Sequence, residues 1–171
     1  EASKEALEEC KSRIHAIALI HEILYRAHDY AHVRFSEYAA ILTRTVLQGT
    51  GLVPSDVELS LAMEDVALPV DRAIPCGLIL NELVTNALKH AFPNARPGTI
   101  TVELARVGSD KVRLAVRDDG RGLPETFDLT KPSSVGLQLV ATLAEQLGAT
   151  LEVSSEGGTA FVLTLPLNEP S

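Results

Sequence analysis

The chain has 171 residues, of which 46% are apolar and 22% charged, and it carries a net charge of −8. That length suits one ordinary domain plus an appended element, and the acidity argues against duplex nucleic acid as a partner, since surfaces that bind it are basic. No apolar run reaches membrane-spanning length, and no basic-then-apolar signal segment opens the sequence.

The opening residues, EASKEALEEC, have the character of a mid-helix segment, so we expect a piece of a longer protein. From residue 1 to about 28 the periodicity predicts one long helix. Leu7, Cys10, Ile14, Ile17, His21 and Leu24 recur at alternating spacings of three and four, the seam of a coiled coil or helical bundle, and Ile20 and Ile23 widen it. Phe35, Tyr38, Leu42 and Val46 mark a second helix, with Ser36 as its cap and Gly49-Thr50-Gly51 as its end. Val57 to Leu61 alternates as a strand. Asp71 opens a long helix to about Ala91, and Pro93 and Pro97-Gly98 close that region.

A hairpin follows: Ile100, Val102 and Leu104 alternate, Gly108-Ser109-Asp110 turns the chain, and Val112, Leu114 and Val116 alternate again. Beyond a loop holding Pro124 and Pro132, residues 135–147 read as a helix. A last hairpin has strands near 150–154 and 159–165. Strands that come as hairpins between helices predict an α+β fold with helices on one face of a mixed, mostly antiparallel sheet. Cys10 and Cys76 sit in apolar helical contexts, which predicts buried free thiols and fits a reducing compartment.

Three motifs carry chemistry. In NELVTNALKHAF, residues 81–92, Glu82, Asn86 and His90 follow at four-residue steps and share a face beside Lys89. Asn is a poor mid-helix residue, and neither Asn81 nor Asn86 stands where a cap is needed. An amide oxygen is a hard, neutral ligand suited to Mg²⁺, although a mixed polar face is more often mere solvated surface. In VRDDGRGLP the adjacent Asp118 and Asp119 point to opposite sides of a strand end, and Gly120 and Gly122 let backbone approach something closely. An inward carboxylate there could accept a hydrogen bond from a ligand amino group, though Asp-Gly turns are common. In SSVGLQLVATLAEQLG, Ser133 or Ser134 can cap a helix whose first turn holds Gly136, leaving N–H groups for phosphate oxygens.

In this order and setting the three resemble the ATP-binding catalytic domain of sensor histidine kinases, in the GHKL superfamily. NELVTNALKHAF is similar to its asparagine-rich motif, DDGRGLP and SSVGLQLV to its two glycine motifs, and EGGTAFVLTLP to its closing strand pair. ALEECKSRIHAIALIHEILYR resembles the second helix of the dimerisation and phosphotransfer hairpin in the subgroup whose acceptor helix reads His-Arg-x-x-x-Asn. The subgroup named for its His, Trp and Glu is disfavoured, since the chain has no tryptophan.

The resemblance implies a two-layer α/β sandwich of the GHKL (Bergerat) type, with residues 1–30 as hairpin helix, 31–52 as connecting helix and 53–168 as catalytic domain. It also implies ATP and Mg²⁺ as cofactors, a response-regulator receiver domain as partner, a homodimer through the helical segment, and a cytoplasmic location. Asn86 matches the Mg²⁺-binding asparagine, and Glu82 the carboxylate that polarises the acceptor histidine. Lys89 and His90 match positions near the phosphates. Asp118 matches the acceptor for the adenine amino group, with Gly120 and Gly122 beside the base. Gly136 and Leu137 match the glycine pair at the phosphate end, and Thr159 a hydroxyl near the adenine. Gln138 stands where a further glycine is common, and the segment between Gly122 and Gly136, with Phe127 in it, makes a short lid.

Nothing in the chain matches His-Arg-x-x-x-Asn. His15, His21, His28 and His32 lie on or just after the first helix, and for His21, in the seam, a packed core histidine is the expected reading. The chain is therefore expected to bind ATP without phosphorylating itself. A degenerate phosphotransfer or docking module, or another GHKL enzyme such as an anti-sigma-factor kinase or an ATP-driven clamp, are the rival readings.

Overall fold

A computed structural model of the chain describes residues 2–27, 31–49, 57–132 and 134–167. In chain order the elements are α1 (Ala2–Ala27), β1 (His32–Arg34), α2 (Phe35–Gly49), β2 (Val57–Met63), β3 (Ala67–Pro69), α3 (Val70–His90), β4 (Gly98–Val107), β5 (Lys111–Asp118), α4 (Val135–Gln146), β6 (Thr150–Ser154) and β7 (Thr159–Pro166).

Alternating side chains decide which face of the sheet is covered. Ile100, Val102 and Leu104 on β4, Val112, Leu114 and Val116 on β5, and Phe161, Leu163 and Leu165 on β7 are all buried. Antiparallel register sets Val102 opposite Val116 and Leu114 opposite Leu163, so these residues form one apolar surface. The strand order is β2-β4-β5-β7-β6, with β2 parallel to β4 and every other pair antiparallel. Helices α3 and α4 lie on that surface and share its core. This is the mixed-sheet α+β sandwich that the hairpin pattern and the resemblance predict.

Helix α3 is the centre of the packing. Ile79, Leu80, Leu83 and Val84 are buried, and so are the polar Arg72, Asn81 and Glu82. Arg72 donates through Nη1 to the carbonyls of Pro166 at 2.7 Å and Leu147 at 3.3 Å, tying α3 to the ends of β7 and α4. Helix α2 packs on α3 through Phe35, Tyr38, Leu42 and Val46, and is part of the same core. The Tyr38 ring lies against Gly77, where a Cβ would collide with its hydroxyl, and Tyr38 Oη donates to the Ala16 carbonyl at 3.0 Å.

Several details differ from expectation. The first helix packs through Ala16, Ile20 and Leu24, a row that keeps Leu24 of the predicted seam and Ile20 beside it but leaves most of the rest of the seam uncovered. Leu7, Cys10, Ile14 and His21 are exposed, so His21 is no core histidine and Cys10 no buried thiol. Cys76 is buried as expected, and burial pushes its thiol up to about 12. Ser36 lies inside α2, not before it, because the three-residue strand β1 precedes the helix and pairs with β3. Ser134 is the cap of α4, its Oγ accepting from Leu137 N at 3.2 Å; Ser133, His28 and the stretch 50–56 lie outside the described residues. Among the described residues, no helix is long and apolar enough to cross a membrane.

Gly77→Ala is expected to destabilise the chain by roughly 1–3 kcal/mol, since overpacking forces Tyr38 from the Ala16 carbonyl. Urea unfolding monitored by circular dichroism measures it.

Candidate functional site

The ladder between β5 and β7 brings Asp118 opposite Thr159. Asp118 is half-buried, and its Oδ1 accepts from Gly120 N at 3.0 Å and from Thr159 N at 3.2 Å. Burial raises its carboxyl above the ordinary aspartate range, while the two N–H donors pull it back. Asp119 points the other way and accepts from Thr99 N at 2.7 Å, as adjacent strand residues should.

Gly120 packs on the C-terminal end of α3, where a Cβ would meet the backbone of Ala91, and Arg121 N donates to the Ala91 carbonyl at 3.0 Å. Gly122 has a φ of +75° and backs onto Ser155. Asp118, Gly120, Gly122 and Thr159 therefore form one corner, stitched to the end of α3.

The other end lies where the first turn of α4 meets the middle of α3. A Cβ on Gly136 would sit 2.5 Å from Glu82 Oε2, so the glycine makes room for that carboxylate. Leu137 is buried, and its N–H is taken by the Ser134 cap. Glu82 is itself buried, and both its oxygens are held: Arg13 of α1 donates Nε to Oε1 at 2.8 Å and Nη2 to Oε2 at 2.9 Å. Asn81 donates to Oε1 at 3.4 Å and accepts from Ser12 Oγ at 2.8 Å.

The two helix asparagines thus part company. Asn81 is spoken for by α1, whereas the side chain of Asn86 is half-buried and has no hydrogen bond among the described residues. Lys89 Nζ donates to Glu9 Oε1 at 2.7 Å, and His90 is exposed at the end of α3. From Glu82 to Ala91 the helix rises by about 13 Å, with Asn86 between its two ends.

The loop after the aspartate turn is tethered. Phe127 packs edge-on against Phe161 with centroids 6.3 Å apart, and Leu123 N donates to Ser155 Oγ at 2.7 Å. Gln138, in place of a glycine, is exposed and donates Nε2 to the Pro132 carbonyl at 3.4 Å.

Residues 72–169 match the family model described as histidine kinase-, DNA gyrase B-, and HSP90-like ATPase. The chain belongs to this ATPase family. Residues 1–50 match a second model, described as histidine kinase. The chain is 34% identical over 170 residues to the sensor histidine kinase PdtaS of Mycobacterium tuberculosis, covering 96% of this chain and 33% of that one. It is 33% identical over 114 residues to blue-light-activated histidine kinase 2 of Erythrobacter litoralis, covering 66% of this chain and 33% of that protein. The histidine kinase domain of the Erythrobacter litoralis EL346 blue-light-activated kinase superposes with a TM-score of 0.84 at 27% identity, over 93% of this chain and 75% of that one. The chain spans about a third of the length of the curated relatives it matches. The family makes it an ATP-binding domain of histidine-kinase type.

Arg13, Glu9 and Ser12 escaped the motif reading. Their one signal was their spacing, which sets three polar residues on one face of α1.

The raised Asp118 carboxyl has a consequence for stability. The folded chain keeps this proton to a higher pH than the unfolded chain does. The group therefore favours folding below the ordinary aspartate range, and that contribution is lost as pH rises toward the raised value. Asp118→Asn, uncharged throughout, is expected to remove this part of the decline, as urea midpoints from acidic to neutral pH would record.

Proposed function

We propose that the chain is the catalytic part of a two-component sensor histidine kinase, in which the γ-phosphoryl of Mg-ATP passes to a histidine and onward to a response-regulator aspartate. The observation that carries this reading is the pairing, on and around one helix, of an uncommitted amide at Asn86 with an inward carboxylate at Asp118. Residues 1–30 are then the second helix of a dimerisation hairpin, 31–52 the connecting helix and 53–168 the catalytic domain. The homodimer, the receiver-domain partner and the cytoplasmic location follow from the same reading.

In this assignment Asp118 accepts from the adenine amino group, a charge-assisted bond contributing roughly 1.5–3 kcal/mol. Gly120 and Gly122 give the base close access to backbone, and Thr159 adds a hydroxyl beside it. Gly136 and Leu137 place the start of α4 at the phosphate end, with its positive dipole toward the anion. Lys89 and His90, in the last turn of α3, are the positions that the family resemblance assigns near the phosphates. Asn86 suits Mg²⁺, which takes few protein ligands and shares its shell with phosphates and water; bound there, the ion neutralises phosphate charge. Asn86 is the protein's single ligand in this scheme.

Transfer is an in-line displacement. The imidazole nitrogen bonds to the γ-phosphorus while the bond to the bridging oxygen breaks and ADP departs. Glu82, once Arg13 gives up one of its oxygens, orients the imidazole or takes its proton. The acceptor imidazole belongs to a His-Arg-x-x-x-Asn helix outside this sequence, so this chain binds ATP without labelling itself.

Asn86→Ala is expected to abolish Mg-dependent ATP binding by calorimetry, and unchanged Mg-ATP affinity would count against the site. The unmutated chain should prefer ATP to GTP, and Asp118→Asn should weaken that preference. Incubation with γ-labelled ATP should leave the chain free of acid-labile label; a labelled chain would refute the missing acceptor.

A further inference from the structure

Helix α1 meets α3 through two kinds of contact. Toward its C-terminal end Ala16, Ile20 and Leu24 are buried in the common core. Toward its N-terminal end the contact is polar, and its groups alternate in charge. Lys89 Nζ is 2.7 Å from Glu9 Oε1; Glu9 Oε2 is 3.8 Å from Arg13 Nη2; Arg13 holds Glu82 in a two-pronged bond. Cation, anion, cation and anion form one continuous row, and it begins and ends on α3. Its two α3 members are the lysine assigned to the phosphates and the carboxylate assigned to the acceptor histidine.

One pairing in this row, Lys89 with Glu9, involves a residue assigned to the phosphates. Lys89 is mostly enclosed, with 15% of its side chain exposed, so its ammonium is poorly hydrated and gains strongly from an anion beside it. Glu9, 30% exposed, is an anion 2.7 Å from it. A triphosphate is a second anion of greater charge seeking the same cation. A lysine ammonium drawn into contact with a phosphate must loosen its hold on the Glu9 oxygen. We propose that Glu9 of α1 is an affinity-determining residue of the nucleotide site, competing with the phosphates for Lys89. This rests on the nucleotide reading above.

The competition has a second effect. Once phosphates take Lys89, Glu9 keeps Arg13 as its neighbouring cation, and α1 loses one of its ties to α3. Nucleotide binding and the seating of α1 thus oppose one another at this point, and by linkage each weakens the other equally.

Glu9→Gln tests it, since the change is isosteric and lies at a partly exposed helix position. Mg-ATP affinity, measured by calorimetry on the whole chain, is expected to tighten about two- to fivefold, the scale of a partly screened ion pair. Adenosine, which has no phosphates, should bind both forms equally. Glu8→Gln, which removes the same charge one residue away, should leave Mg-ATP affinity unchanged. In a Lys89→Met background Glu9→Gln should bring no gain. Unchanged or weaker Mg-ATP binding by Glu9→Gln overturns the proposal, as does an equal gain in the Lys89→Met background or for adenosine. If the unmutated chain binds no Mg-ATP, the nucleotide reading itself falls, an outcome distinct from normal binding without a Glu9 effect.

Discussion

A carboxylate buried in the middle of a helix obliges a cation beside it. Glu82 sits where α3, α4 and α1 converge, and its ionised form is tolerable only with a partner of high charge and matching shape. Arg13 supplies the fork, but from a helix 69 residues away in sequence. That requirement fixes the seat of α1, the glycine at position 136 and the use of Asn81. A methyl group at Gly136 would press on Glu82, and Asn81 steadies both Glu82 and Ser12.

The same helix carries opposite obligations on its other sides. Toward the sheet it must be apolar, and Leu80, Leu83 and Val84 meet that need. On a third side Asn86 leaves its amide without a hydrogen bond among the described residues. Arg72, at its first turn, serves as a buried strut between carbonyls at the ends of two other elements. Few positions on α3 are left to solvent.

Periodicity made most of the fold legible. The hairpins Gly98–Asp118 and Thr150–Pro166 could be read because each strand alternates over enough residues to show a period of two. Strands β1 and β3 could not, since three residues carry no period. Helix α1 was legible as a helix but not in its orientation. It has two apolar faces, one through Leu7, Cys10 and Ile14 and one through Ala16, Ile20 and Leu24, and the intramolecular core uses the second. At the site, the corner built on Asp118 was readable because its parts lie close together in the chain or carry glycine signatures. The row of charges between α1 and α3 was not. Ion pairs across long separations leave no local pattern, and Glu9 and Arg13 look like any solvated helix face.

The ladder between β2 and β4 is parallel, with Leu61 opposite Val102, so α3 must lie within the connection that joins them. The turn from β4 to β5 spans only residues 108–110. Closing the short loop costs less chain entropy than closing the long one, by about 2 kcal/mol. Edge strand β2 is thus held by a pairing of longer range than the β4–β5 hairpin, and α1 is tied to α3 by contacts of longer range still. The polar row of α1 meets Lys89 and Glu82 only across such long separations, so the electrostatics of the candidate site depend on the tertiary fold and not on any local segment.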